Sequence, residues 1–215
     1  MIVYWILLLL TAAFAYLVGS LSTQRLASLV FFRNDLRRLG KGNVWISNFR
    51  RLYGIPGFLK LLLVEVVKDL LPILFGGLLL GIIDHGDVGR AFAGFCLLMG
   101  RLFPLFNRFR GCHGSVALVV AALCVEPSMG AAAAIMIALA DWFLRYLSLG
   151  SLVGALVMVI TAILVVDMRL CMVLCILTAA LVIVRHLPAI PRLLNQTEPR
   201  LSFEQDISYK FDEKF

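Results

Sequence analysis

Residues 1–20, MIVYWILLLLTAAFAYLVGS, decide the fold. They carry no charged side chain, are apolar on every face, and have the length a helix needs to cross the hydrocarbon core, about 20 residues. Ala13-Phe14-Ala15 has the small-residue pattern of a leader cleavage site, but a cleaved leader begins with basic residues and this one has none. The segment therefore reads as an uncleaved span. Its first basic neighbours, Arg25, Arg33, Arg37 and Arg38, all come after it. Lys and Arg stay on the cytoplasmic side of a membrane, so the chain should start outside and enter.

Further apolar runs lie at about residues 57–83, 88–106, 114–126, 129–146, 149–166 and 169–187, which makes seven candidate spans and places the C-terminus inside. The expected fold is an all-α, polytopic integral membrane protein of seven transmembrane helices. Residues 1–201 form the membrane domain and 202–215 a polar cytoplasmic tail. The outer turns would be 84–87, 126–128 and 167–169, and only Arg90 and Arg169 lie near them. Composition agrees: 61% of residues are apolar and 15% charged, against roughly 45–50% and 25% in soluble domains, so the chain has no room for a separate soluble catalytic unit. The net charge of +7 is spread between apolar runs rather than along one soluble face, which argues for topology and against nucleic-acid binding. Cys96, Cys124, Cys171 and Cys175 lie in apolar runs and read as small core residues; Cys112 lies in a Gly-rich loop with no catalytic dyad around it.

Any chemistry must then come from four inner segments. Gly40-Lys41-Gly42-Asn43, followed by Ser47-Asn48 and Arg50-Arg51, combines glycines that free backbone N–H groups with cationic and amide donors, a set suited to a phosphate. The same loop also reads as a basic segment that sets topology and touches lipid headgroups. Gly111-Cys112-His113-Gly114-Ser115 opens directly into an apolar helix and is a second anion cradle, or else a tight interfacial loop anchored by Phe and Arg. The third segment, Arg145 to Ser151, has Asp141 four residues upstream of Arg145, a spacing at which the two charges meet on a helix. The last holds Arg185-His186, Arg192, Asn195 and Glu198. Four such segments at one end of a small bundle can converge on one anionic ligand. The tail reads as a frayed terminus or as a docking site for a protein partner.

In order and spacing these segments resemble the bacterial acyl-phosphate:glycerol-3-phosphate acyltransferases, the PlsY family. The matching elements are Gly19-Ser20; Arg37 through Gly40, Gly42-Asn43 and Ser47-Asn48; Gly100 through Ser115 with its Leu102-Phe103-Pro104 core; Arg145-Tyr146 with Ser148-Leu149-Gly150-Ser151; and Arg185-His186 through Thr197-Glu198-Pro199. The likeness runs from about Tyr16 to Phe203. It implies an enzyme of the bacterial inner membrane, active on its cytoplasmic face, that moves a fatty acyl chain from acyl phosphate to glycerol 3-phosphate to give lysophosphatidic acid, without metal or coenzyme A. By position it implies Lys41, Arg51, His113 and His186 as catalytic candidates. It assigns Gly40, Gly42, Asn43, Ser47, Asn48, Gly111, Gly114, Arg145, Ser148, Ser151, Arg192 and Glu198 to the substrate and phosphate frame.

The departures are specific. Lys41 stands where the family has Ser, Trp45 and Ile46 where it has small residues, Arg101 for a His, Cys112 for a Gly, His113 for a Lys, Ala189 for an Asn and Gln196 for a Gly. One reading is compensation, with Lys41 returning the cation lost at position 113 and His113 binding phosphate or acting as a base. The other is a catalytically altered subunit that binds lipid or a partner protein without turnover.

Overall fold

The computed structural model describes residues 2–33, 46–107, 111 and 114–195; side chains are not described for 46–52 and 107. Every regular element among them is helical: α1 Ile2–Ser20, α2 Thr23–Phe32, α3 Ile46–Gly81, α4 Gly86–Leu102, a 3₁₀ turn at Leu105–Asn107, α5 Ser115–Val125, α6 Pro127–Leu144, α7 Leu147–Val165, α8 Arg169–His186 and α9 Ala189–Leu194. The expected tail, 202–215, lies outside the described residues.

These helices are inverted relative to those of soluble proteins. α1 buries Thr11, Ala15, Gly19 and Ser20 and turns Ile2, Trp5, Leu9 and Leu10 outward. α7 buries Ser148, Gly150, Ser151, Gly154 and Ala155 and exposes Leu156, Ile160, Ile163 and Leu164. Small residues inside and large aliphatics outside is the arrangement of helices packed in lipid, where close backbone approach rather than escape from water drives association. α1, α6, α7 and α8 are each long and apolar enough to cross a membrane.

One close approach is between α1 and α4. A Cβ on Gly19 would stand 2.2 Å from the Leu97 carbonyl oxygen, and one on Gly100 would stand 2.2 Å from that of Tyr16. The two helices therefore touch backbone to backbone at their C-terminal ends, and Tyr16 locks them by donating its hydroxyl to the Phe103 carbonyl at 2.8 Å.

The structure modifies the expected spans in three places. α3 begins well before residue 57, but Gly54 interrupts it with φ 67° and ψ −166°, so the apolar run after the break is a separate, differently aimed helix. α4 ends at Leu102 rather than 106, because Pro104 disfavours helical geometry in the residue before it. α2 and α9 are short helices that the apolar pattern does not reveal. α2 is fixed by its buried Gln24 and Ser28, by a 3.1 Å hydrogen bond between the Ser28 and Tyr53 hydroxyls, and by stacking of Phe32 on Tyr53.

Candidate active site at the basic end of the bundle

The ends of α1, α4, α6 and α8 and the starts of α3, α5 and α7 lie at one end of the bundle, the end that carries the basic segments. Gly111 rests on the C-terminus of α4: a Cβ there would be 2.3 Å from the carbonyl oxygens of both Arg101 and Leu102. Arg185, at the end of α8, donates from Nη2 to the Gly111 carbonyl at 2.9 Å. Gly114 then adopts φ 76°, over Leu98 and Leu102, and α5 starts at Ser115 with no side-chain cap on its first turn. Uncapped N–H groups and the positive end of a helix are a ready anion site.

His186 follows Arg185 and is buried, 2% exposed. Its Nδ1 lies 2.8 Å from the Val182 carbonyl, which can only accept, so Nδ1 carries a proton and Nε2 is the nitrogen that accepts when the ring is neutral. Of the other assigned residues, Ser148 and Ser151 are buried on α7. Ser151 donates its hydroxyl to the Leu147 carbonyl at 2.8 Å, one turn back on its own helix. Arg145 caps α6 in left-handed conformation, its backbone N–H bonded to the Asp141 carbonyl at 3.1 Å, and its side chain is exposed, as is that of Arg192. Among the described residues Asp141 Oδ1 is buried without a hydrogen-bond partner, and a Cβ on Gly150 would be 2.1 Å from it. Gly40, Lys41, Gly42, Asn43, His113 and Glu198 lie outside the described residues, and Ser47, Asn48 and Arg51 are placed only as backbone in the first turns of α3.

Beside this end opens a groove of about 540 Å³ between α3, α5 and α6. Its walls are apolar, among them Phe58, Leu61, Val119 and Val120, with Ser115 and Asp141 near the basic end and Leu123 and Ala134 at the other. From Ser115 to Leu123 the wall of α5 rises about 12 Å.

One group of side chains is absent from the sequence reading. Arg101 is 4% exposed and forms ion pairs with both Glu65 and Asp69. Gln24 donates to the same Glu65 oxygen at 2.9 Å, and Lys68 lies 3.4 Å from Asp69. Two carboxylates and two cations thus meet inside the bundle, and Arg101 ties the end of α4 to α3. The signal was present as Glu65 and Asp69 one turn apart in an apolar run, with an Arg in the next run; ionisable residues inside spans are costly unless paired.

A model of the glycerol-3-phosphate acyltransferase family matches residues 9–196. Among curated proteins, a glycerol-3-phosphate acyltransferase of Thermoanaerobacter pseudethanolicus is 28% identical over 198 residues, 92% of this chain and 98% of its own length. Glycerol-3-phosphate acyltransferase 2 of a Bacillus cereus strain is 30% identical over 196 residues, 89% of this chain and 93% of its own length. Among solved structures, PlsY, an integral membrane glycerol 3-phosphate acyltransferase, in its glycerol 3-phosphate form, superposes with a TM-score of 0.74 at 25% identity, covering 91% of this chain and 96% of that one. Its lysophosphatidic acid form gives a TM-score of 0.76 over the same shares at 24% identity, which supports the fold. With its helices, its basic end and nearly its whole length matched in this way, the chain belongs to the glycerol-3-phosphate acyltransferase family.

Proposed function

We propose that this protein transfers a fatty acyl chain from acyl phosphate to glycerol 3-phosphate, or a related polyol phosphate, giving lysophosphatidic acid. The observation that carries the reading is an apolar groove that begins beside an uncapped helix start, at the end of the bundle where α8 finishes in a buried, oriented histidine. A substrate with a charged head and an aliphatic tail fits that pairing, the tail along α5 and α6 and the phosphate at the Gly111–Gly114 turn. The same reading places seven spans in a bacterial inner membrane, the N-terminus outside and the active end facing the cytoplasm, in keeping with the basic residues gathered there.

In the reaction, the acceptor hydroxyl oxygen attacks the acyl carbon, the bond from that carbon to the phosphate oxygen breaks, and phosphate leaves with the electron pair. The hydroxyl proton needs an acceptor, and Nε2 of His186 suits the task because Val182 holds the proton on the other nitrogen. Acyl phosphate is already activated, so the protein's work is to align two anions and stabilise charge on the carbonyl and leaving phosphate. Lys41 and Arg51 are assigned the phosphates, and His113 phosphate binding or proton transfer.

The test is phosphate release from palmitoyl phosphate by the purified full-length protein, with and without glycerol 3-phosphate, beside Arg51→Ala. Acceptor-dependent release that the variant lacks is expected. Release that ignores the acceptor would change the acceptor assignment. No release by a folded protein that still binds glycerol 3-phosphate would leave a non-catalytic lipid-binding subunit.

A further inference from the structure

The ion cluster of Glu65, Asp69 and Arg101 ties together the helices that flank both glycine-containing segments. Gln24 is on α2, which leads into residues 34–45, and Glu65 and Asp69 are on α3, which follows them. Arg101 is on the last turn of α4, and its backbone carbonyl is one of the two on which Gly111 rests. Glu65 Oε1 accepts from Gln24 and Arg101 together, so one oxygen joins all three helices. Gln24, Glu65, Asp69 and Arg101 are each at most 4% exposed, and Lys68 extends the tie by donating to the Leu21 carbonyl at 3.2 Å, between α1 and α2.

We propose that Gln24, Glu65, Asp69 and Arg101 are positioning residues for acyl transfer: the buried cluster sets how α2 and α3 meet the end of α4 on which Gly111 rests. The inference rests on the acyltransferase reading above. Stability alone is a poor explanation for the cluster, since a buried ion pair replaced by apolar side chains of like volume generally leaves a protein as stable or more so. What the planar guanidinium adds is direction: it holds two carboxylates one helical turn apart and fixes how α4 meets α3. Geometry is what acyl transfer between two anions demands, and a displacement of roughly 1 Å lowers rates by about a hundred-fold.

The test uses full-length protein in detergent and three variants: the apolar replacement Gln24→Leu with Glu65→Met, Asp69→Leu and Arg101→Met; Arg101→Lys, which keeps the charge but loses the planar fork; and Gln24→Leu alone, which leaves every charge paired. Melting temperature is read beside kcat and KM for glycerol 3-phosphate. The expected result is a melting temperature near wild type in the apolar replacement with KM raised about ten-fold or more, and a KM rise of a few-fold in each single variant. A purely structural role would lower melting temperature and the active fraction while leaving KM unmoved, and that outcome overturns the inference. So do kcat and KM within two-fold of wild type in the variants that fold, and if the apolar replacement does not fold, the single variants decide. Wild-type protein without turnover removes the acyltransferase reading and the inference with it, an outcome distinct from active wild type with unaffected variants.

Discussion

Arg185→Met separates what the end of α8 does for folding from what it does for chemistry. The guanidinium donates one hydrogen bond, at 2.9 Å, to the Gly111 carbonyl, and the side chain is exposed. A hydrogen bond at such a site contributes about 0.5–1.5 kcal/mol, and Met keeps most of the aliphatic stem, so the variant should lose about 1 kcal/mol of stability. In a chain of 215 residues that is a fall in melting temperature of about 2–4 °C. The effect on turnover should be larger. Gly111 lies so close to the Arg101 and Leu102 carbonyls that the turn cannot move inward, and without Arg185 it can only lift away. A lift of about 1 Å would lower kcat/KM by about a hundred-fold, equivalent to about 2.7 kcal/mol. The assay is acceptor-dependent phosphate release with a melting curve on the same preparation, beside Arg185→Lys, whose ammonium can still reach a carbonyl and should restore part of the rate. Turnover within two-fold of wild type, or a melting temperature lowered by more than ten degrees, would refute the reasoning. The first would mean that the turn does not need the bond, the second that the residue is chiefly structural.

Gly19→Ala should destabilise the protein by about 1–3 kcal/mol, because the added Cβ meets the Leu97 carbonyl at 2.2 Å and the two backbones must part; chemical unfolding in detergent measures it. Val120→Trp should obstruct the groove and depress activity with palmitoyl phosphate more than with a six-carbon acyl phosphate, read as the ratio of kcat/KM values. In a cysteine-free background, a cysteine at Asp84 should react with an impermeant maleimide in intact cells, whereas one at Ser208 should react only after permeabilisation. The reverse pattern would overturn the proposed orientation.

The helices were legible because lipid-facing segments must be apolar along their whole length, and the four helices long and apolar enough to cross a membrane stand where uninterrupted runs stand in the sequence. Their limits were less so. The break at Gly54 depends on a positive φ that the helical pattern around it conceals, and α2 is held by polar contacts to α3 rather than by an apolar stripe. That α5 starts directly after Gly114 was legible, because a glycine there breaks the chain before an uninterrupted apolar run. Arg101 was not: read alone it is a cation beside a phosphate loop, and only partners 32 and 36 positions away neutralise it. Nor was the Ser151 bond legible, for a hydroxyl in a functional-looking motif donates to its own helix.

Half-exposed Leu123 and strongly exposed Trp142 are among the residues that line the groove. On the proposed reading a tail would pass between them, sliding sideways out of the surrounding lipid without being drawn through water, and the product's tail would slide back. For such a site the concentration that sets occupancy is the mole fraction of donor in the leaflet, not its concentration in solution. Dilution of the membrane with inert lipid should slow the reaction even when total donor, acceptor and protein are unchanged.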